Sequence, residues 1–343
     1  MARAAVQPSL FRRGCHSQRA EVASPGIAGH PACALLGARA RRAARRYRMS
    51  ALTGSEPRLP HAAIVIAAHN ESAVIARCLD ALLPVVQSGD VQVIVVCNGC
   101  VDDTADIARR HAGVTVLELA VASKAAALRA GDRAAVIGPR IYLDADVVMT
   151  AAAAVEVVRS LQPGGALASR PPISFESTDA AWLVRRWYRV RAQLPSIHNV
   201  LWGAGTYALS EAGRARFEEF PDIVSDDLFI DQLIALHERV IVATDPVIVR
   251  TPRHAADLLK VLKRTYRTQS DVVTAPRLGT APGPQAISGS QRAQLDDLLG
   301  LLRREPTRAF DIALYVALIA TARVQARFRP GSVRWERDNS SRA

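Results

Sequence analysis

From His61 onward the chain alternates short β-branched apolar runs with stretches whose apolar residues recur every three or four positions. That alternation is the pattern of a layered α/β unit built on a largely parallel sheet. Residues 64–67, 91–96, 114–117 and 135–143 read as four strands, each short and apolar enough to be buried on both faces. Residues 72–83 and 104–110 read as helices between them. Asp102 and Asp103 stand just before Thr104, where carboxylates accept hydrogen bonds from the free amides of a helix start. A helix over 151–160, a strand near 166–169 and an Arg-rich aromatic helix over 179–191 follow. A glycine-bearing turn, Trp202-Gly203-Ala204-Gly205-Thr206, then leads toward Ser225-Asp226-Asp227, and residues 240–243 and 247–249 read as edge strands.

The segment 274–290 is rich in Pro, Gly, Ala and Ser and reads as a linker or loose loop. Two helices are expected after it, over 291–304 and 307–327. The second holds an apolar stretch, 310–322, broken by Asp311, and is shorter than the roughly 20 residues a spanning helix needs. It reads either as a buried helix or as an interfacial one that turns Arg303, Arg304, Arg308, Arg323 and Arg327 toward anionic lipid. The expected organisation is therefore a basic leader over 1–55, a catalytic unit over 56–272, a linker over 273–290, a helical extension over 291–330 and a tail over 331–343.

Charge alters this picture at one end only. The formal net charge is +12, but residues 1–48 hold ten arginines against the single acid Glu21, so the rest carries 34 basic and 31 acidic residues. A nucleic-acid-binding domain spreads its basic surface through the folded part, so no specific nucleic-acid partner is expected. The leader repeats Ala and Arg with Pro and Gly and shows no sustained period, so it reads as disordered. Three origins stay open for it: translation starting at Met49, a basic tail, or a targeting segment. Phe11-Arg12-Arg13 superficially resembles a twin-arginine signal, but no apolar region of sufficient length follows. Of the cysteines at positions 15, 33, 78, 97 and 100, Cys97 and Cys100 form one Cys-x-x-Cys pair, which stands alone without the second pair or His partners of a zinc site. Reduced thiols and a cytoplasmic location, peripheral at the inner face of a membrane if the last helix is interfacial, are the expectation.

Ligands of open α/β sheets gather outside the carboxyl ends of the strands, so the segments just after each strand carry the chemistry. Ala67-Ala68-His69-Asn70-Glu71 after the first is not glycine-rich, which argues against dinucleotide dehydrogenases and P-loop enzymes. Cys97-Asn98-Gly99-Cys100 follows the second, Lys124 lies between the third and fourth, and Asp144-Ala145-Asp146 closes the fourth. Two carboxylates one residue apart suit Mg2+ or Mn2+, hard cations that bridge a carboxylate to phosphate oxygens. Alone, the same tripeptide also reads as an Asx turn or helix cap.

These four segments together resemble a family 2 glycosyltransferase of the GT-A fold. Val65-Ile66-Ala67-Ala68-His69-Asn70-Glu71 is similar to that family's first-strand motif, and 95–104 to its Val-Asp-Asp-Gly-Ser-x-Asp-x-Thr segment. Ser123-Lys124-Ala125-Ala126-Ala127-Leu128 is similar to its Gly-Lys-x-x-Ala-Leu segment, and 142–147 to its Asp-x-Asp strand. The fold implied is α/β: a GT-A-type three-layer sandwich with a mainly parallel mixed sheet and C-terminal helices. The activity implied is metal-dependent, inverting transfer of a sugar from a nucleoside-diphosphate donor to an acceptor hydroxyl on a glycan, lipid or small molecule.

The resemblance assigns donor binding to Asn70, Glu71, Asn98, Lys124 and Asp144, and the metal chiefly to Asp146 with Asp144. Cys97-Asn98 stands where the family has paired Asp, so a uridine nucleotide is not implied. Asp226-Asp227 is similar to the family's Glu-Asp pair, which makes Asp227 the expected base and Asp226 its reserve. Arg264 and Arg267 weakly resemble a Gln-x-x-Arg-Trp motif and are candidates for phosphate contact, with a solvated helix face as the alternative. His254 is a candidate third metal ligand, or a structural histidine beside Arg253. A nucleotidyltransferase and a catalytically degenerate nucleotide-sugar-binding protein are the competing readings.

Overall fold

The computed structural model describes residues 61–136, 138–223, 225–274 and 291–327. The expected leader, most of the expected linker and the tail lie outside the described residues. A seven-stranded mixed sheet forms the centre, in the order β3-β2-β1-β4-β7-β5-β8. Its strands are β1 (Ala62–Ala68), β2 (Val91–Asn98), β3 (Val114–Leu119), β4 (Arg140–Asp144), β5 (Ala168–Arg170), β7 (Thr206–Leu209) and β8 (Arg239–Ile241). The first four run parallel, and β7 is antiparallel to both β4 and β5. A small second sheet pairs β6 (Ile173–Glu176) with β9 (Val247–Arg250) in parallel.

Alternation along β1 separates two layers. Ile64 and Ile66 enter a core with Leu79 and Leu82 of α1 (Ile75–Ser88) and Val157 of α4 (Ala151–Ser160). Val65 and Ala67 enter the opposite core with Leu128 of α3 (Lys124–Ala134) and Ile230 of α6 (Asp226–Leu233). Strand side chains alternate between faces, so α3 and α6 are placed on one side of the sheet. The short α2 (Thr104–Arg109) lies between β2 and β3 in the chain. A third core joins α5 (Trp182–Arg191), α7 (Ala255–Thr274), α8 (Gln291–Arg304) and α9 (Ala309–Arg327) through Val184, Trp187, Leu258, Leu301 and Tyr315.

Several expected boundaries move. The run 135–143 is not one strand, because Gly138 has φ 136° and Pro139 lacks an amide donor, so the ladder begins at Arg140. Lys124 lies in the connection between β3 and β4, which is helical. It opens α3, whose start is capped by the Ser123 hydroxyl accepting from the Ala126 amide at 3.2 Å. Helix α1 continues through Pro84 and closes at Gly89, which takes the left-handed conformation (φ 71°) that a side chain would resist. The two expected edge strands separate, β8 closing the large sheet and β9 the small one.

Candidate active site

The carboxyl ends of β1, β2, β3 and β4 share one rim, and the turn before the antiparallel β7 returns to it. The loops there are laced together. The Asn98 amide nitrogen donates to the Ala68 carbonyl at 2.8 Å, while its oxygen accepts from the Ser123 amide at 3.0 Å. Asn98 is 0% exposed. Both ends of the Asn98 amide clamp the loops after β1 and β3, so the side chain braces the rim from beneath. Asn70 holds a left-handed backbone (φ 53°), and its side-chain oxygen accepts from the Val101 amide at 2.7 Å. The buried Glu71 donates its amide to the Thr104 hydroxyl at 2.7 Å, and Asp102 accepts from the Ser72 amide at 3.2 Å.

The charged centre is built around Lys124, at the first turn of α3. Its ammonium donates to Asp144 Oδ1 at 2.7 Å and makes an ion pair with Asp226 Oδ1 at 2.8 Å. Burial alone lowers the pKa of a lysine, but the carboxylates of Asp144, Asp226 and Asp227 outweigh it and hold the ammonium charged. Asp144, at the end of β4, keeps 38% of its side chain exposed. The packing beneath it raises its pKa to about 6, with Asp146 and Asp226 adding to the rise against the opposing pull of Lys124.

Asp226 and Asp227 open α6 but face different surroundings. Asp226 is 5% exposed and accepts from the Tyr207 hydroxyl at 2.8 Å. Asp227 is half-buried and oriented by three donors: the Ser225 hydroxyl at 2.7 Å, the Leu228 amide at 2.8 Å and the Gly203 amide at 2.7 Å. The glycine turn thus reaches the acid pair directly. At Gly205 (φ 65°) an added Cβ would lie 2.4 Å from Val147 Cγ2 and 3.3 Å from Asp144 Oδ2, so only glycine lets the turn approach the strand end.

Asp146 sits just beyond Asp144, and its carbonyl accepts from Arg77 Nη2 at 3.3 Å. His254 is exposed at the start of α7. No group of three or more His, Cys, Asp or Glu suited to a metal forms among the described residues. Arg264 and Arg267 are half-buried on α7, which packs against α6. Tyr207 and Asp231, which the sequence reading passed over, both brace the site, Asp231 by accepting from the Leu201 amide at 2.7 Å. Neither carries a sequence signal, since Tyr207 sits in an apolar strand and Asp231 in the middle of a helix.

A helix-covered mixed sheet with acids and one lysine gathered at its parallel-strand rim is the architecture of the GT-A fold. Residues 63–213 match the family described as Glycosyl transferase family 2. Over those residues, somewhat under half of its length, the chain carries a family 2 glycosyltransferase domain. No curated protein matches it. Among solved structures it is similar to the mannosyltransferase PcManGT from Pyrobaculum calidifontis in complex with GDP-Man and Mn2+. That likeness has 20% identity and a TM-score of 0.50, over 87% of this chain and 92% of that one. It is also similar to glucosyl-3-phosphoglycerate synthase from Mycobacterium tuberculosis in complex with Mn2+, UDP-Glc and phosphoglyceric acid. There the identity is 20% and the TM-score 0.46, over 66% of this chain and 83% of that one.

Proposed function

We propose that the protein transfers a sugar, with inversion, from a nucleoside-diphosphate donor to an acceptor hydroxyl, using Mn2+ or Mg2+. The observation that carries this reading is Lys124 held between Asp144 and Asp226 on the rim that also bears Asp146 and Asp227. Three carboxylates, Asp144, Asp226 and Asp227, act on one ammonium, and Asp146 adds its charge beside Asp144, an excess of negative charge that a divalent cation would balance. With only Asp144 and Asp146 offered as protein ligands, the remaining positions fall to diphosphate oxygens and water, which suits Mg2+ and Mn2+. Bound there, the cation would neutralise charge on the departing nucleoside diphosphate.

The chain's own residues do the rest. Lys124 supplies a fixed positive charge beside the leaving group, preorganised by two carboxylates. Asp227, aimed by Gly203 and Ser225, accepts the acceptor hydroxyl's proton as that oxygen bonds to the anomeric carbon. The bond from that carbon to the diphosphate breaks, and its electron pair leaves with the diphosphate. One displacement from the opposite face inverts the anomeric centre. Asn70, Glu71, Arg264 and Arg267 are assigned to the donor side, and the Trp202–Gly205 turn to the acceptor side. The catalytic unit is taken as 56–272 with 291–330 as its helical extension. The free thiols Cys78, Cys97 and Cys100 suit a reducing cytoplasm.

The test is to incubate the protein with Mn2+ and a panel of nucleotide sugars, following thermal shift and nucleoside diphosphate release. At least one sugar nucleotide raises the melting temperature, more with metal than without. Stabilisation by none of them sinks this reading. Asp146→Ala is expected to lose the metal-dependent part of the shift, and an unchanged donor affinity removes Asp146 from its assigned place.

A further inference from the structure

Helix α9 is apolar on both sides. Ile312, Tyr315 and Ala322 face the core shared with α5 and α7, and Tyr315 stacks on Trp187 with ring centroids 4.9 Å apart. Phe310, Val316 and Val324 face outward at 60%, 44% and 52% exposure, and Ala313, Ala317 and Ala320 lie exposed on the same stripe. The segment Pro306–Ala326 is long and apolar enough to cross a membrane by length and composition, yet only 17% of its apolar window is buried. It does not stand apart as a spanning helix does. Buried Asp311 pairs with Arg186 and, at 3.6 Å, with Arg189, fastening the start of α9 to α5.

We propose that this outward face docks on an anionic lipid bilayer, with α9 lying in the plane of the interface. Two features of the surface select that occupant. The first is the aromatic end: Trp182, 53% exposed, and Phe310 flank the Arg186 guanidinium at 5.7 and 5.4 Å. An aromatic pair around an arginine suits the headgroup level, where amphipathic rings settle and arginine reaches phosphate. The second is charge. Arg185 and Arg189 are exposed one turn apart on α5, Arg303 and Arg304 are exposed at the end of α8, and the one acid of α9, Asp311, is buried and paired. An apolar stripe with a basic border is complementary to anionic lipid. The same border disfavours a second copy of this chain, which would bring arginine against arginine, and it disfavours the leader, with ten arginines and one acid.

The test is co-sedimentation of the full chain with vesicles of phosphatidylcholine alone and of equal parts phosphatidylcholine and phosphatidylglycerol, without donor or metal. The wild type is expected to pellet with the anionic vesicles, weakly or not at all with the neutral ones, and less as salt rises. The double variant Phe310→Glu, Val316→Glu, both at exposed positions, should bind anionic vesicles about tenfold less with an unchanged melting temperature. If that variant folds poorly, Val324→Glu alone tests the far end of the same stripe. Undiminished binding by a folded variant overturns the proposal, because the leader would then account for the attraction. Failure of the wild type to bind anionic vesicles overturns it too. So does a lipid-free dimer that the double variant dissolves, which would make the face a contact between copies. None of these readings depends on sugar transfer, so the proposal and the assigned reaction fail separately.

Discussion

Asp227→Asn is expected to bind a nucleotide sugar as the wild type does while its transfer rate falls by about 10² to 10⁴. The carboxylate is held by Gly203, Ser225 and Leu228, and none of these donors belongs to the segments assigned to the donor. The amide is nearly isosteric and keeps an oxygen for part of that network, but it cannot take a proton from the acceptor. Thermal shift with donor reports binding, and nucleoside diphosphate release under saturating donor and acceptor reports turnover. Equal loss of both would place Asp227 in donor binding rather than proton transfer. Asp226→Asn is the control. At 5% exposure, bonded to Tyr207 and paired with Lys124, Asp226 is poorly placed to meet an acceptor. Its replacement should lower stability along with activity, whereas Asp227→Asn leaves stability nearly unchanged.

Much of this architecture was legible because the strands of a parallel sheet are buried on both faces and so appear as unbroken apolar runs. β1 and β2 were placed within two residues of each end, and Ala151–Ser160 and Gln291–Arg304 are the helices the sequence predicts. The first error came from the same rule. Residues 135–143 are apolar, but backbone geometry at Gly138 and Pro139 decides where pairing begins, and an apolar count does not register it. Helix α3 was not placed from the sequence although its Ser123 cap was present, and Gly131, a weak helix former, stands inside it. At the site, motif order singles out Lys124, Asp144, Asp226 and Asp227, whose charges the fold gathers around the lysine ammonium. It could not separate residues facing the rim from those beneath it. Which groups the Asn98 amide engages depends on Ala68 and Ser123, about 30 and 25 residues away, and local sequence does not register them. Tyr207 was invisible for the related reason that its partner Asp226 is 19 residues distant on another element.

Lys124→Met is expected to damage folding and function together, and the balance of charges gives the size. In the wild type one ammonium serves two carboxylates, Asp144 at 2.7 Å and the buried Asp226 at 2.8 Å. Removing one partner of a buried ion pair leaves the others uncompensated and costs about 3–5 kcal/mol. For a chain of this size that lowers the melting temperature by on the order of 10 °C. Donor affinity should fall as well, because the positive charge assigned to the diphosphate disappears. The two effects separate in a second variant carrying Lys124→Met with Asp144→Asn and Asp226→Asn. Neutralising the acids removes the stranded charge, so most of the lost stability returns, while donor binding and turnover stay absent. Thermal denaturation of the metal-free proteins measures the first, and donor-induced thermal shift the second. If the triple variant recovers no stability, packing of the lysine stem rather than charge balance holds this corner together. If Lys124→Met alone keeps full donor affinity, the ammonium is a strut between β4 and α6, and the diphosphate must be met elsewhere on the rim.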